Sequence, residues 1–303
     1  MIFRAFRWDD FDGVSTAILS AAAHDRTKLM TVEQLRTRFE LMNNEFAPTI
    51  IATDGRGTVS GFAWWTIEPD DPPIMRIEGW VHPDHRRCGV GTGLLLSAER
   101  YGRGIPGMEL MGRSYDDVLG VAPLYRQRGF KIVRQFYAMM GPIVPDLEAS
   151  FPSGVEIRMF AQTQLASLVE AENRFFADHW GVHTATIDRY YRLLSEPDVD
   201  SSLWVVAWVG DRIVGECITH PSELRETDCW ISIVGVDAAW RNRGIGRAML
   251  AECYSRLAAR GFRRVGLHVD SENAPAVKLY STLGMRVMRT RLHFSKFVRD
   301  NGA

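Results

Sequence analysis

The chain has 303 residues, 46% of them hydrophobic and 24% charged, with a formal net charge of -1. That length suits two domains of about 150 residues each better than one, and the composition is that of a globular protein able to bury a core in both halves. The near-neutral balance excludes a bulk attraction to nucleic acid or to an anionic membrane, so any anion site must be local.

At the N-terminus, Met1-Ile2-Phe3-Arg4-Ala5-Phe6-Arg7 reads as a strand with interspersed charge. It lacks the apolar run and small-residue cleavage site of a signal peptide. No run of about 18 or more apolar residues predicts a transmembrane helix. The four cysteines (Cys88, Cys217, Cys229, Cys253) form no CxxC pair, which favours a reducing compartment, and a cytoplasmic protein is expected. His82, His85, His179, His183, His220 and His268 have no metal-motif spacing, so no metal is expected.

The chain repeats itself. Gly89, Gly91, Tyr125 and Gly129 recur as Gly244, Gly246, Tyr280 and Gly284, every pair displaced by 155 positions. Ile50-Ile51-Ala52 maps with the same step on Val205-Val206-Ala207, and Arg4-Ala5-Phe6 maps with a one-residue slip on Arg158-Met159-Phe160. A fixed step inside each set marks a duplication that organises the whole fold. Gly141-Pro142-Ile143-Val144-Pro145-Asp146 and Pro152-Ser153-Gly154 resist helix and central strand, so the copies are set at 1–145 and 146–303.

Within each copy the order is strand, helical region, two or more strands, glycine-rich turn, helix, strand, helix, strand. This is a mixed α/β domain, a central mixed β-sheet flanked by helices. In the second copy, Val155 to Phe160 is the first strand and Thr163 to His179 is helical in pattern. Leu203 to Val209, Ile213 to Thr219 and Trp230 to Val236 are strands. Ala248, Met249, Leu250, Cys253, Tyr254 and Leu257 then fall at helical spacing, with Gly261 as the stop. Val265, Leu267 and Val269 alternate as in a strand. Asn273 caps the last helix and Pro275 sits in its first turn, where no N–H is needed.

Arg86-Arg87-Cys88-Gly89-Val90-Gly91 and Arg241-Asn242-Arg243-Gly244-Ile245-Gly246 each follow an apolar strand and open an apolar-faced helix. Glycines let the backbone turn tightly and approach a ligand. The first N–H groups of a helix lack intrahelical partners and lie at its positive end, where they bind phosphate oxygens. Arg86, Arg87, Arg241, Arg243 and Arg247 add charge there. One such turn is equally a plain structural connection, but its repetition favours anion binding. Leu94 and Met249 stand where a dinucleotide fingerprint has its third glycine, and no Gly-Lys-Ser/Thr follows, which disfavours a nucleotide-dependent reductase or kinase.

The R-x-x-G-x-G turn between strand and helix, with a tyrosine 34 residues after the second glycine and then Gly-Phe or Gly-Met, resembles the GNAT superfamily of acetyl-CoA-dependent N-acetyltransferases. The resemblance covers both halves, so the chain is similar in layout to tandem GNAT proteins. It implies acetyl-CoA as acyl donor. The pyrophosphate is then expected on Arg86, Arg87, Gly89 and Gly91, and on Arg241, Arg243, Gly244, Gly246 and Arg247. Pantetheine is expected along the splayed strand ends at Trp80 to His82, including Val81, and at Gly235 to Asp237, including Val236. Tyr125 and Tyr280 match the tyrosine that protonates the leaving sulfur, and Asn273 matches an asparagine that contacts the cofactor. Val118 stands at the corresponding place in the first copy.

Acyl transfer to an amine also needs a proton acceptor. Glu78 lies in the strand before the first turn, where Ile233 is its counterpart; Glu216 and Asp228 are the candidates in the second copy, and the base stays open among the three. The C-terminal copy is expected to be the working site, since its cofactor segments match the family more fully. Trp64, Trp65, Trp80, Trp180, Trp204, Trp208 and Trp230 either wall an acceptor groove or, as large aromatics mostly do, fill the cores. The expected acceptor is a small-molecule amine; a protein amine, and a non-catalytic acyl-CoA sensor, are the alternatives. A monomer is favoured over a homodimer, because the fused copies supply what separate subunits would.

Overall fold

The computed structural model describes residues 1–27, 30–44, 48–68, 70–181, 184–196, 199–221 and 226–298. In chain order the first elements are β1 (Ile2–Ala5), α1 (Phe11–Asp25), α2 (Val32–Asn44), β2 (Thr49–Thr53), β3 (Val59–Glu68) and β4 (Ile74–Val81). Then come α3 (Val90–Gly102), β5 (Glu109–Tyr115), α4 (Val121–Gln127) and β6 (Lys131–Pro142). The same order follows as β7 (Glu156–Arg158), α5 (Leu165–Phe176), α6 (Ile187–Ser195), β8 (Val205–Val209), β9 (Arg212–Pro221) and β10 (Asp228–Val236). It closes with α7 (Ile245–Ala259), β11 (Arg264–Asp270), α8 (Ala274–Thr282) and β12 (Arg286–Phe297).

Two compact units result: Met1–Phe136 together with the chain from Arg289 onward, and Tyr137–Met288. The halves set out from the sequence are bounded at the proline- and glycine-rich linker instead, since a linear reading cannot foresee a strand returning from the far end of the chain. In the N-terminal unit the strand order is β1-β2-β3-β4-β5, with the second part of β12 beyond β5. β12 runs antiparallel to β5 from Arg291↔Tyr115 to Phe297↔Glu109, while β4 and β5 are parallel. In the C-terminal unit the order from the far edge is β7-β8-β9-β10-β11, with the end of β6 beside β11, and β10 and β11 are the parallel pair.

Each unit is a mixed sheet with helices on both faces. In the N-terminal unit, Phe11, Val14, Ala17 and Ile18 put one stripe of α1 on Phe62 and Trp64 of β3, with Leu35 and Phe39 of α2 beside them. Burying each of Phe11, Val14 and Ile18 is worth roughly 1.5–3 kcal/mol. The opposite face packs Leu95 and Ala98 of α3 and Tyr125 of α4 on Met75, Ile77 and Leu110. In the C-terminal unit α5 and α6 cover Trp204, Val206 and Trp208, while α7 and α8 cover Val205, Cys217, Val265 and Leu267. Trp64, Trp65, Trp204 and Trp208 therefore belong to cores. Asn273 Oδ1 accepts the Ala276 N–H (3.2 Å), with proline in the first turn, as its sequence predicts. All four cysteines are free thiols, and only Cys88 is exposed.

Candidate active site

Each parallel strand pair opens into a fork. β4 and β5 are in register from Ile74↔Glu109 to Ile77↔Gly112, after which β4 continues to Val81 and β5 to Tyr115 without further pairing between them. β10 and β11 pair from Asp228↔Arg264 to Ile231↔Leu267 and then part in the same way. A shift in the β10 and β9 register between Ile231 and Ile233 coincides with the opening. Past each fork, strand-edge groups of the chain face a gap in which an extended ligand arm can pair, as a further strand would.

The glycine turns follow at the ends of β4 and β10, and their backbones repeat closely. Arg87 and Asn242 have φ of 62° and 61°, and Gly89 and Gly244 have φ of 84° and 83°. Gly89 and Gly244 are the N-caps of α3 and α7, and neither helix has a side-chain cap. The first helical bonds run from Gly93 N to Gly89 O (2.9 Å) and from Ala248 N to Gly244 O (3.0 Å). The N–H groups of Val90, Gly91 and Thr92, and of Ile245, Gly246 and Arg247, thus lack acceptors within their helices. A Cβ on Gly246 would meet only Leu279 (3.6 Å) and Val236 (3.8 Å), so local packing does not demand the bare backbone. A phosphate approaching the backbone N–H groups would demand it, and the turns fit one.

The arginines of these turns divide into two groups. Arg86 is bidentate to Asp25 (2.8 Å twice) and donates Nε to Val81 O (3.2 Å). Arg241 donates to Val236 O (3.1 Å) and Phe175 O (2.8 Å). Both clamp the first helix of a unit to the end of its fork strand. Arg87, Arg243 and Arg247 are exposed, with Arg243 over the Trp240 ring (4.7 Å), and these side chains can turn to a phosphate. Asp25 and Asp237 are partners that the sequence did not reveal: Asp237 holds Arg174 (3.0 Å) and Arg212 (2.8 Å). Burial disfavours the Asp237 carboxylate, but hydrogen bonds from Arg212, the Ala239 N–H and Arg174 prevail and lower its pKa.

Tyr125 is buried, stacked on Phe294 (4.6 Å, 11°) and edge-on to Phe130 (5.0 Å). Its hydroxyl lies over Gly112, where a Cβ would come within 2.1 Å of the oxygen; only glycine fits at this last paired residue of β5. Burial and then the Glu78 charge push the Tyr125 pKa far up. Tyr280 is likewise buried among α8 and β11 residues, its pKa raised by burial and by Cys217. Both phenols therefore stay protonated donors.

Glu78 is the first residue of β4 past the fork, approached from the α2 face, so it and Tyr125 flank the opening from opposite sides of the sheet. Arg38 and Arg113 hold its two oxygens, at 2.9 Å and 2.7 Å. The C-terminal unit has Ile233 there. Its Glu216 is fully buried, paired in register with Gly235, and among the described residues neither carboxylate oxygen has a hydrogen-bond partner. Burial pushes its pKa well up, and Glu172 adds to this against Arg189 and Arg174. Glu172 itself takes the Tyr190 hydroxyl (2.6 Å) and Arg189 (3.0 Å). Asp228 is bidentate to Arg264 (3.0 and 2.5 Å) at the opposite end of β10 from the turn. His183 lies outside the described residues, among which no group of three or more His, Cys, Asp or Glu could hold a metal ion. No helix among the described residues is long and apolar enough to cross a membrane.

Comparison with known proteins agrees with this geometry. Residues 16–130 and 165–285 each match the sequence profile of the acetyltransferase (GNAT) family. The mycothiol acetyltransferase of Geodermatophilus obscurus is 27% identical over 288 residues, covering 91% of this chain and 92% of the relative. That of Thermobispora bispora is 33% identical over 232 residues, 75% of this chain and 76% of the relative. Among solved structures, a GCN5-related N-acetyltransferase from Sphaerobacter thermophilus superposes with a TM-score of 0.76 at 24% identity, covering 98% of this chain and 96% of that one. A tandem GNAT protein from the clavulanic acid biosynthesis pathway gives 0.71 at 16% identity, with 99% of both chains covered.

Proposed function

The chain belongs to the acetyltransferase (GNAT) family, whose donor is acetyl-CoA, and on that footing we propose that it transfers the acetyl group to the primary amine of a small molecule. Each unit takes acetyl-CoA with its pyrophosphate on the uncapped helix end and its pantetheine arm in the fork. The observation that carries the catalytic reading is the N-terminal fork, where Tyr125 and Glu78 face one opening from opposite sides. As the amine nitrogen bonds to the thioester carbon, its proton passes to Glu78. A carboxylate is base enough, because the nitrogen becomes strongly acidic only once that bond forms. The C–S bond then breaks, and Tyr125 donates its proton to the departing thiolate.

A second reading places turnover in the C-terminal unit, as its sequence leads one to expect. Tyr280 and the Asn273 cap favour it, with Glu216 as the buried carboxyl that would have to serve. Calorimetric titration of acetyl-CoA into the wild type, Gly91→Glu and Gly246→Glu, followed by turnover with a panel of small amines, decides between them. Two sites in the wild type, one lost in each variant, and turnover lost with Gly91→Glu are expected. Turnover lost only with Gly246→Glu would move the chemistry to the C-terminal unit. A folded wild type with no acetyl-CoA binding would sink the donor assignment for both units.

A further inference from the structure

Beyond the fork, arginines gather around Glu78 on the α2 face of the N-terminal sheet. Glu78 is bracketed by Arg38, which also lies over the Trp64 ring (4.6 Å), and by the exposed Arg113. On the adjoining strand β12, Arg291 pairs in register with Tyr115, and His293 with Arg113, so Arg113 and Arg291 project from the same face. Arg291 Nε is buried and, among the described residues, has no hydrogen-bond partner. Its neighbours are the Phe136 ring at 5.4 Å, Tyr115 and a second guanidinium. Burial and then Arg113 lower the Arg291 pKa to about 10. A half-buried guanidinium whose Nε is out of water beside another cation is costly unless an anion joins them.

The C-terminal unit does not repeat this arrangement. A step of 155 from Glu78 and Arg113 leads to Ile233 and to His268, whose ring lies against Trp230 (4.8 Å). A scaffold feature shared by the duplicated fold would be expected in both units.

We propose that Arg291, Arg113 and Arg38 form an oxyanion-binding site beside the N-terminal fork, and that the amine acceptor taken there carries a carboxylate or phosphate group. The planar donor fork of arginine matches either oxyanion. The proposal rests on the N-terminal fork being the site of acetyl transfer. Arg113 follows Gly112 and Glu78 follows Ile77, the last paired residues of the two strands, so an oxyanion held there leaves the amine end of the acceptor free to reach the opening.

The test is calorimetric titration of inorganic phosphate and of malonate into the full chain saturated with acetyl-CoA, for wild type, Arg291→Leu and Arg291→Lys, with Tm measured alongside. The wild type should bind at least one of the two, phosphate marking a phosphorylated acceptor and malonate a carboxylated one. Arg291→Leu should weaken binding about tenfold or more, and Arg291→Lys should restore part of it. Because leucine removes a partly buried charge that no anion offsets in the ligand-free chain, the Tm of Arg291→Leu should equal or exceed that of the wild type; a purely structural arginine would lower it. The proposal falls if a wild type that binds acetyl-CoA takes up neither anion, if Arg291→Leu binds them undiminished, or if its Tm drops. Oxyanion uptake in a chain that does not bind acetyl-CoA would overturn the reading of the fork and leave the oxyanion site standing.

Discussion

Replacing Gly246 by alanine should move stability and ligand affinity in opposite directions. Gly246 sits in the first turn of α7 and is not among the glycines with positive φ, so alanine adopts its backbone without strain. The added methyl would touch Leu279 at 3.6 Å and Val236 at 3.8 Å, both ordinary contact distances. A strain-free glycine-to-alanine change stabilises by about 0.4–1 kcal/mol, chiefly by restricting the unfolded chain, which for a unit of this size raises Tm by roughly 1–4 °C. If the pyrophosphate sits on this turn as proposed, the same methyl stands where it would approach the backbone N–H groups. Losing one charge-assisted hydrogen bond costs about 1.5–3 kcal/mol, or a rise in acetyl-CoA Kd at the C-terminal site of about tenfold or more. Scanning calorimetry of the ligand-free protein and titration with acetyl-CoA measure the two effects. Unchanged affinity with raised Tm would mean that the pyrophosphate does not lie on this turn; lowered Tm would mean that the surroundings of Gly246 do not admit a methyl.

Tyr125→Phe should leave acetyl-CoA affinity near wild type and lower kcat by about 100-fold or more with an amine acceptor; undiminished kcat would remove the phenol from the chemistry. Glu216→Gln should alter the dependence of stability on pH. The Glu216 pKa is raised in the folded protein, so its contribution is complete below the unfolded glutamate value of about 4.3 and is lost as pH climbs through the folded value. The variant should therefore have a flatter stability profile above about pH 4.3 and a higher Tm at neutral pH. Parallel urea titrations across pH test this, and identical slopes for variant and wild type would refute it.

What the chain reveals by itself depends on how far apart the cooperating residues lie. The duplication, the glycine turns and the Asn273 cap are local or strictly periodic, and they were legible. Arg86 and Arg241 were legible as part of a motif, but their engagement was not, because their partners Asp25 and Phe175 lie 61 and 66 residues away. The setting of Glu78 was hidden for the same reason: Arg38 and Arg113 reach it from α2 and β5, and only the folded sheet brings them together. Arg291 was beyond any linear reading, since its place beside Arg113 follows from the return of β12 to the N-terminal unit.

That returning strand also sets the order in which the protein can be made. β5 receives its outer neighbour only when Arg291–Phe297 arrive, and Lys296 brings its ammonium to the buried Glu99 carboxylate (3.0 Å). During synthesis the N-terminal unit must wait, with one sheet edge bare, until the ribosome has delivered the whole C-terminal unit. Exposed edges of this kind invite pairing with other chains, so the nascent protein is most vulnerable to aggregation in the interval between its two halves. The tandem arrangement is thus a single biosynthetic unit: neither an early stop codon nor a cut at the linker would release a finished N-terminal domain.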